Sequence, residues 1–305
     1  MAFRGYRVGA TYGESLPASM PASAPAARSC DSRRIPALDT IRPFTTNRVY
    51  GTCASSSPFG VTNPADVISR AVARAVQMLD NTIGELVNAR NGVCAGQPPA
   101  SLLGGITADW LVNRLGVCID DIRVWTAGTF VSGSVAEVIR RLTRVRNLIA
   151  SNSLTYVCNG PQCGSDWWAY VITPANCAGT PAPIIRFCRN FWVAAPGVSA
   201  ADHAEFQAQT IIHEASHLYH CTADARGSSI GVAECLAQFV AVTNGSPIDP
   251  GFTTRCAVTT RCAPPAGAPG ISGFGAAVPA GSRILSTVFR PQNAIRLIGR
   301  PAIRR

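Results

Sequence analysis

From Asn63-Pro64 onward, apolar residues recur every three to four positions. In ADVISRAVARAVQMLDNTIGELVNAR, the residues Val67, Ile68, Val72, Val76, Met78, Leu79, Ile83 and Leu86 fall on one face of a long helix. The same spacing returns in SVAEVIRRLTRVRNLIASN, where Val135, Val138, Ile139, Leu142, Val145 and Leu148 form the stripe. Its arginines lie largely outside that stripe and read as the wet face. Between Thr155 and Cys188 the pattern changes to short runs, TYVC, WWAYVI and PIIRFC, separated by Gly, Pro and Asn. Such runs predict a small antiparallel β-sheet, which Cys158, Cys163, Cys177 and Cys188 are placed to staple. Two further helices are predicted at about 201–220 and 230–243.

The flanks lack this order. Residues 1–60 are rich in Ala, Pro, Ser and Arg without sustained periodicity, which predicts an irregular N-terminal arm or propeptide. Residues 251–305 read as a Gly/Pro/Arg-rich C-terminal tail. A single domain is expected over 61–250, and no internal repeat is present.

Composition narrows the class. A chain of 305 residues with 47% hydrophobic content can bury a full core. No run of about 18 apolar residues occurs, so no membrane span is expected. The net charge is +10, but the basic residues are scattered as singles and pairs, so no nucleic-acid partner is expected. Twelve cysteines, mostly away from C-x-x-C spacing, predict disulfides and export to an oxidising compartment. The start, MAFRGYRVGATYGESLPASM, carries no apolar stretch of signal-peptide length, so the export route is not visible. All 27 basic residues are arginine. A G+C-rich coding bias explains that blandly. A protease that cuts at lysine would also spare itself, and a protein delivered into a eukaryotic cytosol would offer no side-chain ubiquitin acceptor.

The chemistry is concentrated in AEFQAQTIIHEASHLYH, which contains H-E-x-x-H. With four histidines in the whole chain, a chance match is improbable. On a helix, His213 and His217 project from one face and can share one zinc ion, with Glu214 beside them as a base rather than a ligand. In such a site the glutamate takes a proton from water and passes it to the leaving amine. Two surface histidines on an ordinary helix would be the bland alternative, but the surrounding run is apolar, and polar groups buried there cost stability unless used.

A third protein ligand is needed. His220 is about 10 Å along the helix from His213, too far to share the ion, and His203 is expected to cap the helix or lie on the surface. Asp224 and Glu234 remain as candidates, Asp224 because a short turn can fold it back on the metal.

Here the sequence resembles a known family, the deuterolysin-like aspzincins, which include lysine-specific metallo-endopeptidases. The resemblance covers about residues 60–245, and its blocks run in the family's order from TYVCNGPQCGSDWWAYVI through IIRFCRNFW and TIIHEASH to TAD and AECLAQF. The family's third zinc ligand is the Asp of Gly-Thr-x-Asp-x-x-Tyr-Gly, which here reads Cys221-Thr222-Ala223-Asp224-Ala225-Arg226-Gly227-Ser228. The resemblance thus implies Asp224 as ligand. The motif departs at Cys221, Gly227 and Ser228. The family tyrosine, held to stabilise the oxyanion, is replaced by Gly227, and Arg226 or Tyr219 is a candidate substitute donor. The family acid that reads the basic side chain after the cut corresponds to Glu234, which alternatively is only an N-terminal helix charge. A second family acid corresponds to Ala237.

Cys221 and Cys235 flank the Asp224 turn, and a bridge between them would hold it, unless each pairs elsewhere. The sequence thus predicts an α+β, zincin-like fold, mainly helical with a small antiparallel sheet and stapled by disulfides. It predicts a zinc-dependent endopeptidase acting on protein or peptide substrates, at lysine, and secreted or delivered as an effector. The competing reading is a catalytically weak zinc-binding structural or packaged protein. The retained Glu214 favours the enzyme, because a structural zinc site has no use for a base. Oligomeric state is left open.

Overall fold

A computed structural model describes residues 41, 43–45, 48–54, 58–95, 103–117, 135–158, 160–172, 183–220, 222, 231–248 and 256. Helix α1 spans Pro64–Cys94, α2 Gly105–Asn113 and α3 Val135–Ala150. Strands β1 (Thr155–Cys158), β2 (Ala169–Tyr170) and β3 (Ile184–Phe187) follow, then α4 (Arg189–Trp192), α5 (Ala200–His220) and α6 (Ala233–Thr243).

The start of α1 obeys local chemistry. Pro64 occupies the first helical position, where its missing N–H costs nothing. Asn63 precedes it, its Oδ1 accepting from the Asp66 backbone N–H at 3.4 Å and its amide donating to Asp66 at 2.6 Å. The predicted stripe is the buried face: Ile68, Val72, Val76, Met78, Leu79, Ile83 and Leu86 are all in the core. In α3 the buried residues Val135, Val138, Ile139, Leu142, Val145 and Ile149 continue the same logic. Both helices pack on α5, which also meets α6, α4 and the sheet, so α5 is the axis of the domain.

The sheet differs from expectation. Its strand order is β1-β3-β2. Strand β2 runs antiparallel to β3, but β1 and β3 are parallel, with Thr155 opposite Ile184 and Cys158 opposite Phe187. The sheet is therefore mixed rather than antiparallel. The physical reason is the long crossover between β1 and β3, which brings the chain back in the same direction and inserts β2 on the far side.

The end of the expected irregular arm, from Thr45 onward, includes a strap on this core. Val49 bridges to Thr155 in parallel, and its carbonyl accepts from the Tyr156 N–H at 2.9 Å. The Ala150 carbonyl accepts from the Thr45 N–H and from the Thr45 hydroxyl, both at 3.1 Å, and the Ile149 carbonyl accepts from Arg48 at 3.0 Å. These bonds satisfy carbonyls that the end of α3 would otherwise leave open. Cys53, 1% exposed, closes the strap onto β1 through a disulfide to Cys158.

Two more disulfides join Cys163 to Cys188 and Cys235 to Cys256. The Cys221–Cys235 bridge is thereby corrected: Cys235 is buried on α6 and is taken by Cys256. Cys177 and Cys221 lie outside the described residues.

The Cys53–Cys158 bridge closes a loop of 105 residues, so it restricts the unfolded chain strongly. Replacing both cysteines by alanine is expected to lower unfolding free energy by about 2–4 kcal/mol. Urea denaturation without reductant measures it.

Candidate metal centre

Helix α5 is unusual in being buried around its whole circumference from Phe206 to Leu218. Ile211, Ile212 and Ala215 have no exposure. Its polar side chains must therefore find partners inside the protein. Gln207 donates to the Phe191 carbonyl at 2.6 Å, and Gln209 donates to the Pro247 carbonyl at 2.7 Å. The hydroxyls of Thr210 and Ser216 donate back to the carbonyls of Phe206 and Ile212, at 2.9 and 2.8 Å.

His203 departs from the expected cap or surface role. It is 8% exposed, its Nε2 lies 3.0 Å from the Asn190 carbonyl, and its ring packs on Trp168 at 5.4 Å between centroids. The capping contact comes instead from Ser199, whose hydroxyl accepts from the Asp202 N–H at 3.0 Å. His203 and Gln207 together fasten the first half of α5 to the segment around α4.

His213, Glu214 and His217 are each 5% exposed. The two histidine Nε2 atoms face each other at 3.0 Å, and the rings are near perpendicular at 83°. His217 Nδ1 lies 2.7 Å from the Thr222 carbonyl and 3.1 Å from the Thr222 hydroxyl. A carbonyl only accepts, so Nδ1 must carry the proton, and the neutral ring then presents its lone pair at Nε2. Two ligands about 2.0–2.1 Å from one tetrahedral ion stand roughly 3.3 Å apart. The 3.0 Å pair, with one tautomer already fixed, fits a cation held between the rings.

Among the described residues no group of three or more His, Cys, Asp and Glu is arranged to hold a metal ion. Glu234 therefore does not complete a three-ligand set with the two histidines. It sits in the first turn of α6, 1% exposed, and accepts from Gln238 at 3.2 Å. Asp224 and Arg226 lie outside the described residues.

Tyr219 is brought elsewhere. At about 100° per residue it is turned well away from the face shared by His213 and His217. It is 45% exposed, and the Arg144 guanidinium lies 5.6 Å from its ring centroid. This geometry corrects its candidacy as oxyanion donor: the helical rotation that unites His213 and His217 carries Tyr219 out to the surface.

The family model described as lysine-specific metallo-endopeptidase, Aspzincin, matches residues 125–244. That span holds the mixed sheet, α5 and α6. The matched region is similar to an aspzincin domain. No curated protein matches the chain. The aspzincin family is one of zinc-dependent metallo-endopeptidases, which act on protein or peptide substrates. Among the described residues, no helix is long and apolar enough to cross a membrane.

Thr222 was not singled out by spacing as a site-building group, whereas His220 was read as structural rather than as a ligand. The signal for Thr222 was available only as its place in the aspzincin motif, two residues before Asp224. His220 Nε2 lies 3.1 Å from the Arg141 carbonyl, which ties the end of α5 to α3. Beside it, Glu137 is 7% exposed and paired with Arg140 and with Arg141, the latter at 2.6 Å. Burial works to raise the Glu137 pKa, but the bonds and charges of Arg140 and Arg141 outweigh it and hold the carboxyl below its ordinary value.

Burial pushes His220 down to about 4 from 6.5. The Arg141 carbonyl opposes that shift, while the charges of Arg141 and Arg140 add to it. Below 6.5 the unfolded chain takes up a proton that the folded ring refuses, so stability falls as pH drops from about 6.5 to about 4. His220→Gln keeps a donor for the carbonyl but does not titrate. Its urea midpoint is expected to change less over that window than the wild-type midpoint.

Proposed function

We propose that this chain is a zinc-dependent endopeptidase that cuts on the N-terminal side of lysine and works outside the cytoplasm. The observation that carries the reading is the buried Nε2 pair of His213 and His217 at 3.0 Å, with Glu214 next to it. His213, His217 and Asp224 would hold the zinc. Bound there, the ion supplies electrophilic polarisation of the scissile carbonyl and of the attacking water. Glu214 takes the water proton and returns it to the leaving amine. Its low exposure keeps that transfer out of bulk solvent.

Glu234 supports the lysine preference as the acid that meets the basic side chain following the cut. It is a buried carboxylate at the head of α6, and α6 packs directly on α5. The absence of lysine from all 305 residues agrees with an enzyme that has to coexist with itself. Export is supported by three disulfides, with no free cysteine among the described residues. Secretion and delivery into another cell as an effector both satisfy that requirement. The catalytic unit is assigned to about residues 61–250, with the N-terminal arm and the C-terminal tail as appendages.

A second reading has one specific observation behind it. With Gly227 in the family tyrosine position and Tyr219 turned to solvent, Arg226 is the remaining candidate for the oxyanion. If Arg226 does not serve, the protein is a weak catalyst kept for zinc binding.

One digest separates these readings. An unfolded protein substrate is treated with zinc-loaded wild type and with Glu214→Ala, and the cut peptides are read by mass spectrometry. New N-termini at lysine are expected, with the rate lowered about 10²–10⁴-fold in the variant. The reduced, unfolded chain itself is expected to stay uncut. Cuts elsewhere would remove the lysine specificity, and no cuts would leave the weak zinc-binding protein.

A further inference from the structure

Among the described residues, Thr222, just outside the helix, supports the His217 ring. Thr222 is 3% exposed and turns both its carbonyl and its hydroxyl toward the same ring nitrogen, at 2.7 and 3.1 Å. The carbonyl, at the shorter distance, takes the Nδ1 proton. The hydroxyl stands beside it as a second acceptor, so the N–H is gripped from two directions. That contact fixes which nitrogen of His217 offers a lone pair, and it restricts rotation of the ring about its Cβ–Cγ bond. The lone pair is then held at His213 Nε2, 3.0 Å away.

We propose that Thr222 is a positioning residue for the metal centre: it selects the Nδ1–H form of His217 and aims its Nε2 at the ion. The inference rests on the zinc reading of His213 and His217 but concerns an atom contact that this reading does not require. A threonine suits the place for two reasons. Its hydroxyl supplies the second acceptor, and its branched Cβ limits side-chain rotation. Thr222 also lies two residues before Asp224, so the same short stretch that orients one proposed ligand carries another. Groups that orient ligand histidines typically govern metal affinity by about 10–100-fold.

Two measurements test it. Zinc affinity is determined by competition with a chromophoric chelator for wild type, Thr222→Val, Thr222→Ser and His213→Ala, with thermal midpoints of the metal-free proteins recorded alongside. Thr222→Val keeps the shape and the carbonyl but loses the hydroxyl. It is expected to bind zinc about tenfold or more weakly at an unchanged metal-free midpoint, and Thr222→Ser is expected to recover most of that loss. Wild-type affinity in Thr222→Val, or a loss matched by a fallen metal-free midpoint and not rescued by serine, overturns the proposal. Independently of any variant, ¹⁵N-detected imidazole spectra of the metal-free wild type are expected to show His217 protonated at Nδ1. Protonation at Nε2 overturns it. If wild type binds no more zinc than His213→Ala, the zinc reading fails, and the spectrum still decides the tautomer claim.

Discussion

A helix that carries two imidazoles and a carboxylate through the middle of a hydrophobic core must satisfy each polar group internally, because water is not there to do it. Much of the architecture around α5 answers that requirement. The carbonyls of Asn190, Phe191 and Pro247, from segments before and after the helix, receive His203, Gln207 and Gln209. Thr222 and Arg141 receive His217 and His220 at the other end. Together these bonds fix the helix against α4, Pro247, Thr222 and α3. The polar load that makes α5 costly to bury is thus what sets its position along and around its own axis.

The disulfides extend this positioning to the parts of the chain that could not hold it by packing alone. Cys53–Cys158 secures the strap to β1, and Cys163–Cys188 ties the turn after β1 to the start of α4. Cys235–Cys256 anchors the head of α6 to residue 256, beyond the helix. The described residues on either side of 223–230 are thereby fixed. At one end Thr222 meets His217, and at the other α6 is packed on α5 and cross-linked. The observed pairing of Cys235 with Cys256 rules out the expected bridge from Cys221 to Cys235.

Helices α1 and α3 were legible because their 3.6-residue period coincides with burial. The pairing of His213 with His217 was legible for the same reason, since an i,i+4 relation is fixed once the helix is granted. What the pattern could not carry was anything that depends on distant partners. The runs TYVC and PIIRFC announce strands, but parallel pairing of β1 with β3 depends on how the chain between them travels. His203 reads as a cap or surface residue because it stands near the start of the helix, and only the approach of Trp168 and Asn190 makes it a buried anchor. The role of residues 45–53 was hidden because a strap paired through backbone atoms needs no periodic side chains.

The geometry of α5 also bears on where a third ligand has to come from. Of the residues nearest to the His213 and His217 face, Thr210 spends its hydroxyl on the Phe206 carbonyl, and His220 is bound to the Arg141 carbonyl. Neither is turned toward the paired nitrogens. A helix can place two ligands at adjacent turns, but a third along the same row recedes by a further 5–6 Å. A third ligand on that row is therefore out of reach of the ion. Cys235 is committed to its disulfide, and Glu234 does not form a metal group with the histidines among the described residues. The proposed ligand Asp224 lies in the sequence just beyond Thr222. The same reasoning explains why Thr222 matters: it touches one proposed ligand on the helix and stands two residues before another, Asp224.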